Sequence, residues 1–91
     1  MTERTIQKKI IDYLESKGYY VVKVIKANKA GVADLTVCKD GKYIAIEVKT
    51  DKNKNGVTAL QKFHLDLVKK SGGVAFVATS VEDVKEKLHL D

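Results

Sequence analysis

Apolar residues recur at four-residue spacing at Ile6, Ile10 and Leu14, with Ile11 alongside, and predict an amphipathic helix from about Glu3 to Lys17. Thr2 suits its start and Gly18 its end. The period then changes. Tyr19 to Ile25 is a β-branched and aromatic run, Asp34 to Cys38 is a second, and Lys42 to Lys49 alternates as a third; all three read as strands. A polar loop, Lys26 to Gly31, separates the first two. Asp40-Gly41 between the second and third is the strongest short hairpin signal. Thr50 to Gly56 is polar and lysine-rich and predicts a mobile loop. Thr58 then caps a helix to about Lys70, Gly72-Gly73 ends it, Val74 to Ala78 is a short apolar strand, and Ser80 caps a last helix bearing Val81, Val84 and Leu88. The predicted order is α-β-β-β-α-β-α. The helix joining the third and fourth strands makes them parallel, so the fold class is α/β: a small mixed sheet flanked by helices.

The hairpin register carries a chemical consequence. With a two-residue turn, Lys39 pairs with Lys42, and the same register sets Asp34 opposite Glu47 on one face of the sheet. Opposed residues there have Cβ atoms about 4.5–5.5 Å apart, and two like charges destabilise a hairpin unless something neutralises them. A hard divalent cation that also touches substrate phosphate does so. Lys49, two residues beyond Glu47, shares that face, as does the small Ala45; Ile44, Ile46 and Val48 point to the other side, into core. A lysine beside two carboxylates can orient an attacking water or stabilise charge building on a phosphoryl group. The competing reading is a surface hairpin end with an unrelated Asp34, and a single bulge would break the register.

Composition narrows the partners. One domain over residues 1–91 is expected for 91 residues, with a thin core. No apolar run approaches the ~20 residues that span a membrane, and the start Met1-Thr2-Glu3-Arg4 has no apolar signal region, so an intracellular, cytoplasmic location is expected. The lone cysteine, Cys38, sits in an apolar run and reads as a packing residue, as do Tyr13, Tyr19, Tyr20 and Tyr43. Net charge is +5, and of 17 basic residues only Arg4 is arginine. Lysine acts as a point charge more than as a bidentate reader of bases, so such a surface favours phosphate-backbone contact. Lys26 and Lys29 on one side of the carboxylates, and Lys52 and Lys54 on the other, are the candidate nucleic-acid contacts; a solubilising surface is the bland alternative.

The ordered set Gly31-Val32-Ala33-Asp34-Leu35, Ile46-Glu47-Val48-Lys49-Thr50 and then Gln61 resembles the PD-(D/E)XK nuclease superfamily, and within it the VRR-NUC domain, the virus-type replication-repair nuclease. The resemblance runs from Glu3 to about Val84, and Ala33 stands where the family often has proline. It implies a restriction-endonuclease-like core and hydrolysis of DNA phosphodiesters with Mg²⁺ or Mn²⁺. It implies metal ligation by Asp34, Glu47 and the backbone carbonyl of Val48, with Lys49 as the catalytic lysine. It implies that Glu3 and Gln61 serve the site, and that the protein acts as a homodimer on branched DNA, in the manner of Holliday-junction resolvases, in a host-cell cytoplasm if viral. The residues themselves support the last pair in part. Glu3 falls on the apolar face of its helix, although acids favour any first turn; Thr58-x-x-Gln61 is a capping box, which explains Gln61 without function. His64, one turn after Gln61, reads as partial core, and His89 as irrelevant. The competing functions are a flap, nick, non-specific or restriction-like endonuclease, a basic module that holds nucleic acid without cutting, and a structural adaptor.

Overall fold

The computed structural model describes residues 1–91. The elements are α1 (Glu3–Ser16), β1 (Tyr20–Lys23), β2 (Leu35–Lys39), β3 (Lys42–Val48), α2 (Ala59–Lys70), β4 (Val74–Ala78) and α3 (Val81–Leu88), in the expected order. The four strands form one sheet ordered β1-β2-β3-β4, antiparallel except for the parallel β3–β4 pair that α2 connects. The structure is thus the α/β mixed sheet with flanking helices that the pattern predicts.

Local chemistry explains the boundaries. The Thr2 hydroxyl accepts from the Thr5 backbone N–H, and the Thr58 and Ser80 hydroxyls do the same for Gln61 and Asp83, so each helix begins on a side-chain cap. Asp40 and Gly41 both take positive φ, 52° and 78°, the two-residue turn whose twist matches that of paired strands. Lys39 therefore pairs with Lys42 and Leu35 with Ile46. One strand boundary needs correction. β1 stops at Lys23 because its partner begins at Leu35; one further bond, Val24 N–H to the Asp34 carbonyl, closes the ladder and leaves Ile25 in solvent. The polar loop after β3 carries one short regular element. Asp51–Asn53 form a single 3₁₀ turn, and Asn53 folds so closely over Gly56 that a Cβ there would lie 2.2 Å from the Asn53 Oδ1.

The sheet separates two unequal layers. On one face Leu35, Val37, Ile44, Ile46 and Val48 pack against Ile6, Ile10 and Leu14 of α1 and Val84 of α3 in an eleven-residue core. On the other, Ala45 and Ala75 leave room for α2, which inserts Leu65 between them. α2 covers β3 and β4 and leaves the same face of β1 and β2 without a helix. This reverses the expectation for Cys38: alternation aims it at that uncovered area, and it is exposed. Tyr13 and Tyr19 pack on the core as expected, whereas Tyr20 and Tyr43 share the exposed row with Cys38.

Candidate active site

The hairpin register brings the two carboxylates together. Asp34 immediately precedes β2, Glu47 lies next to the last residue of β3, and the Leu35–Ile46 pairing carries the two acids past one another. The Asp34 Oδ2 accepts a hydrogen bond of 2.8 Å from the Val48 backbone N–H. That bond ties the end of the β1–β2 loop to β3 and fixes the Asp34 side chain beside Glu47.

Glu47 is 3% exposed and Lys49 7%, unusual burial for either residue type unless paired. The Lys49 Nζ stands 3.7 Å from the Glu47 Oε2. Lys49 follows β3, yet its backbone N–H still bonds the Ala78 carbonyl, so strand alternation continues through it and keeps its side chain on the face of Glu47. The same Oε2 accepts from the Gln61 Nε2 at 3.1 Å. Gln61 thus has two roles at once: its Oε1 accepts from the Thr58 N–H to close the capping box, and its Nε2 anchors the carboxylate. The two explanations available from sequence were never exclusive, because a primary amide has two ends.

The electrostatics are strained. Burial pushes the Glu47 carboxyl up from 4.5 to about 7; the neighbouring Asp34 charge pushes the same way, Lys49 opposes them, and Glu3 adds a smaller upward push. The other Glu47 oxygen, Oε1, is buried with no hydrogen-bond partner. A buried, unpartnered carboxylate oxygen next to a second acid is a poor resting arrangement unless a proton or a cation satisfies it.

The remaining candidates divide. Glu3 lies half-buried at the start of α1, near enough to be felt by Glu47. Nowhere, however, do three His, Cys, Asp or Glu side chains converge as a metal-holding set, so the centre is a pair of acids with Glu3 set back. The His64 ring meets the Phe63 ring edge-on at 5.6 Å, and it lines an apolar groove with Tyr43 and Leu67. Lys26, Lys29, Lys52 and Lys54 are all exposed on the two loops that border the acids, with Lys54 in a loose 3.9 Å pair with Asp51. Gly31 takes a φ of +85° against the start of α2, where a Cβ would come within 2.6 Å of Leu60, so this glycine lets the loop carrying Asp34 close on the helix carrying Gln61. One residue escaped the sequence reading. Gln7, one turn after Glu3, is 8% exposed and its Oε1 has no partner. A glutamine interleaved among Ile6, Ile10 and Ile11 was the available signal.

The fold is that of a nuclease domain of the restriction-endonuclease type. The chain belongs to the Mrr_cat restriction endonuclease family, whose model matches residues 1–86. Two solved structures are similar to it. A "VRR_NUC domain" superposes with a TM-score of 0.80 at 25% identity, covering 98% of this chain and 97% of the other. A "VRR_NUC domain protein" gives 0.77 at 23% identity, covering 98% and 86%. No curated protein matches the chain. The resemblance seen in the Asp34, Glu47-Val48-Lys49 and Gln61 segments therefore holds at the level of the whole fold.

Proposed function

We propose that the protein is a metal-dependent DNA endonuclease whose centre comprises Asp34, Glu47 and Lys49, with Gln61 and Glu3 in support. The observation that carries this reading is the buried Glu47 Oε1, unpartnered beside Asp34. The donor set suits a hard cation: two carboxylates, together with the Val48 backbone carbonyl that the family resemblance adds, leave room for water and a phosphate oxygen. Mg²⁺ or Mn²⁺ bound there supplies a water of lowered pKa and offsets charge on the phosphate.

The protein's own residues do the rest. The Val48 N–H holds Asp34, and the Gln61 amide holds Glu47, so neither carboxylate swings when substrate arrives. Lys49, kept buried by its pairing with Glu47, presents an ammonium to the attacking water or to the phosphoryl oxygens as charge builds on them. Lys26, Lys29, Lys52 and Lys54 flank the acids and contact the DNA backbone from both loops, which fits the lysine-dominated charge of +5. Branched DNA, including four-way junctions, is the preferred substrate, and symmetric cutting of two strands needs two copies of the chain.

The test is a cleavage panel of duplex, nicked, flapped and four-way DNA with Mg²⁺ and with Mn²⁺, paired with calorimetry of metal uptake. Cleavage of branched substrates, lost in Asp34→Asn, supports the proposal. DNA binding without cleavage under either metal makes the domain a binding module, and the absence of both binding and metal uptake makes it an adaptor.

A further inference from the structure

Two side chains of α1 have no part in the acidic centre: Arg4, the single arginine among 17 basic residues, and Gln7, buried with an unpartnered oxygen. Both line one groove of about 450 Å³ between α1 and Lys23 of the edge strand β1. Of its seven lining residues only Ile11 is apolar, so the groove is built for a polar occupant. Three cations and one acid meet there. Lys8 and Asp12 pair at 3.0 Å and neutralise one another. Arg4 and Lys23 are exposed and in no ion pair, which leaves two uncommitted positive charges.

Gln7 supplies the second observation. It is 8% exposed, and its Oε1 has no hydrogen-bond partner. Native folds rarely leave a buried acceptor unmet, because its desolvation then goes uncompensated. Arg4 stands three residues earlier, a neighbour on the helix surface, and its guanidinium carries five N–H donors in a planar fork. That fork matches a phosphate through two parallel bonds and has donors left over. Position adds to this. Gln7 lies one helical turn beyond Glu3, about 6 Å along the axis, and the Glu3 charge is felt at Glu47. The groove therefore begins where the acidic centre ends.

We propose that the α1–β1 groove is a separate backbone subsite, which holds a DNA phosphodiester beyond the one at the acids. Arg4 donates two N–H groups to that phosphate and a third to the Gln7 Oε1, and Lys23 faces the phosphate from β1. Gln7 is a positioning residue: it touches Arg4 and orients the fork. The inference rests on the reading of DNA as substrate, and it adds a consequence. The strand is gripped on the α1 side as well as by the loop lysines, so a substrate must continue past the cut toward α1 to be held fully.

The experiment is fluorescence anisotropy of labelled duplex and four-way DNA in EDTA, repeated with Ca²⁺ to screen the acids, at salt from about 50 to about 300 mM. It compares the full chain with Arg4→Gln, Lys23→Gln, Gln7→Leu and the Arg4→Gln, Gln7→Leu double variant, each checked by a circular dichroism melt. Lys9→Gln removes the same charge from an exposed α1 position outside the groove and serves as control. Arg4→Gln and Lys23→Gln should each lower the log–log salt slope by about 1 and weaken binding about tenfold at low salt, while Lys9→Gln leaves the slope unchanged. Gln7→Leu should weaken binding about fivefold without lowering Tm, because the unmet oxygen leaves with the amide. The double variant should bind as Arg4→Gln does, since both changes break one contact. Unchanged slopes in both charge variants, or a loss matched by Lys9→Gln, overturn the subsite and leave the nuclease reading standing. A Gln7→Leu loss that adds in full to that of Arg4→Gln overturns it too. So does millimolar inorganic phosphate displacing DNA from wild type but not from Arg4→Gln, which makes the groove a free-anion site. Wild type that binds no DNA in either buffer ends this inference and the nuclease reading together.

Discussion

The two faces of the sheet were built to different rules. The face under α1 and α3 is continuous: its eleven core residues include Ile10, Leu14, Leu35, Ile46 and Val48, each fully buried, and none is polar. The face under α2 changes character along its length. At one end Glu47 and Lys49 are buried; in the middle the small Ala45 and Ala75 receive Leu65 of the helix; at the far end tyrosines meet solvent. A thin core cannot carry both stability and chemistry on every surface. Here one face supplies most of the packing, and the other carries the groups that packing alone would reject.

That contrast can be broken or sharpened by substitution. The largest effect is expected at Glu47: Glu47→Gln should lower metal-supported cleavage by about 10³-fold or more, the several kcal/mol that a bound cation contributes, while the protein stays folded. Cleavage persisting in that variant would place the chemistry elsewhere. Lys49→Ala should reduce the single-turnover rate by about 10²-fold with DNA affinity nearly unchanged, a split read by pairing rapid-quench assays with fluorescence anisotropy. On the opposite face, Leu14→Ala should destabilise by about 2–5 kcal/mol through the cavity it leaves, lowering Tm by on the order of 10–40 °C, yet the remaining folded fraction should cut at the normal rate.

Acidity supplies a subtler discriminator. The folded Glu47 carboxyl titrates at about 7 against 4.5 in its ordinary state, so the folded protein holds this proton more tightly than the unfolded chain. Its stabilising contribution is complete below pH 4.5 and disappears as pH rises through about 7. Metal-free wild type should therefore melt lower at pH 8 than the Glu47→Gln variant, and added Mg²⁺ should restore wild type alone. Identical melting curves for the two proteins between pH 5 and pH 8 would contradict the electrostatics described here. The smallest effect belongs to Gln61→Ala, expected to destabilise by about 1 kcal/mol through the lost capping box, with a rate loss beyond that only because Glu47 loses its anchor.

Much of this was legible in the chain because it depends on short-range rules. Turn chemistry at Asp40-Gly41, two-residue alternation and three hydroxyl caps fix the hairpin, the acid pair and the helix starts, and each can be read within a few residues. What was not legible is which part of a face a helix covers. The burial expected of Cys38, Tyr20 and Tyr43 failed because α2 crosses only β3 and β4, and that choice is set by the βαβ crossover and by Ala45 and Ala75 rather than by the residues on β1 and β2. Gln7 escaped notice for a related reason: a helical period shows which way a side chain points but not whether anything waits there to bond with it. Gln61 was seen but underread, since its local explanation was sufficient by itself.

The Asp40-Gly41 turn lies five residues along β3 from Glu47, a separation of roughly 17 Å. It nevertheless decides whether the acids meet, because every residue between them alternates sides. Parity is therefore inherited from a distant point: one amino acid inserted in the turn and accommodated by shifting a strand would carry Glu47 to the greasy side and strand Asp34 alone, while two could be absorbed with the geometry intact. The hairpin tip, exposed and far from any chemistry, is a place where this enzyme tolerates change only in even steps.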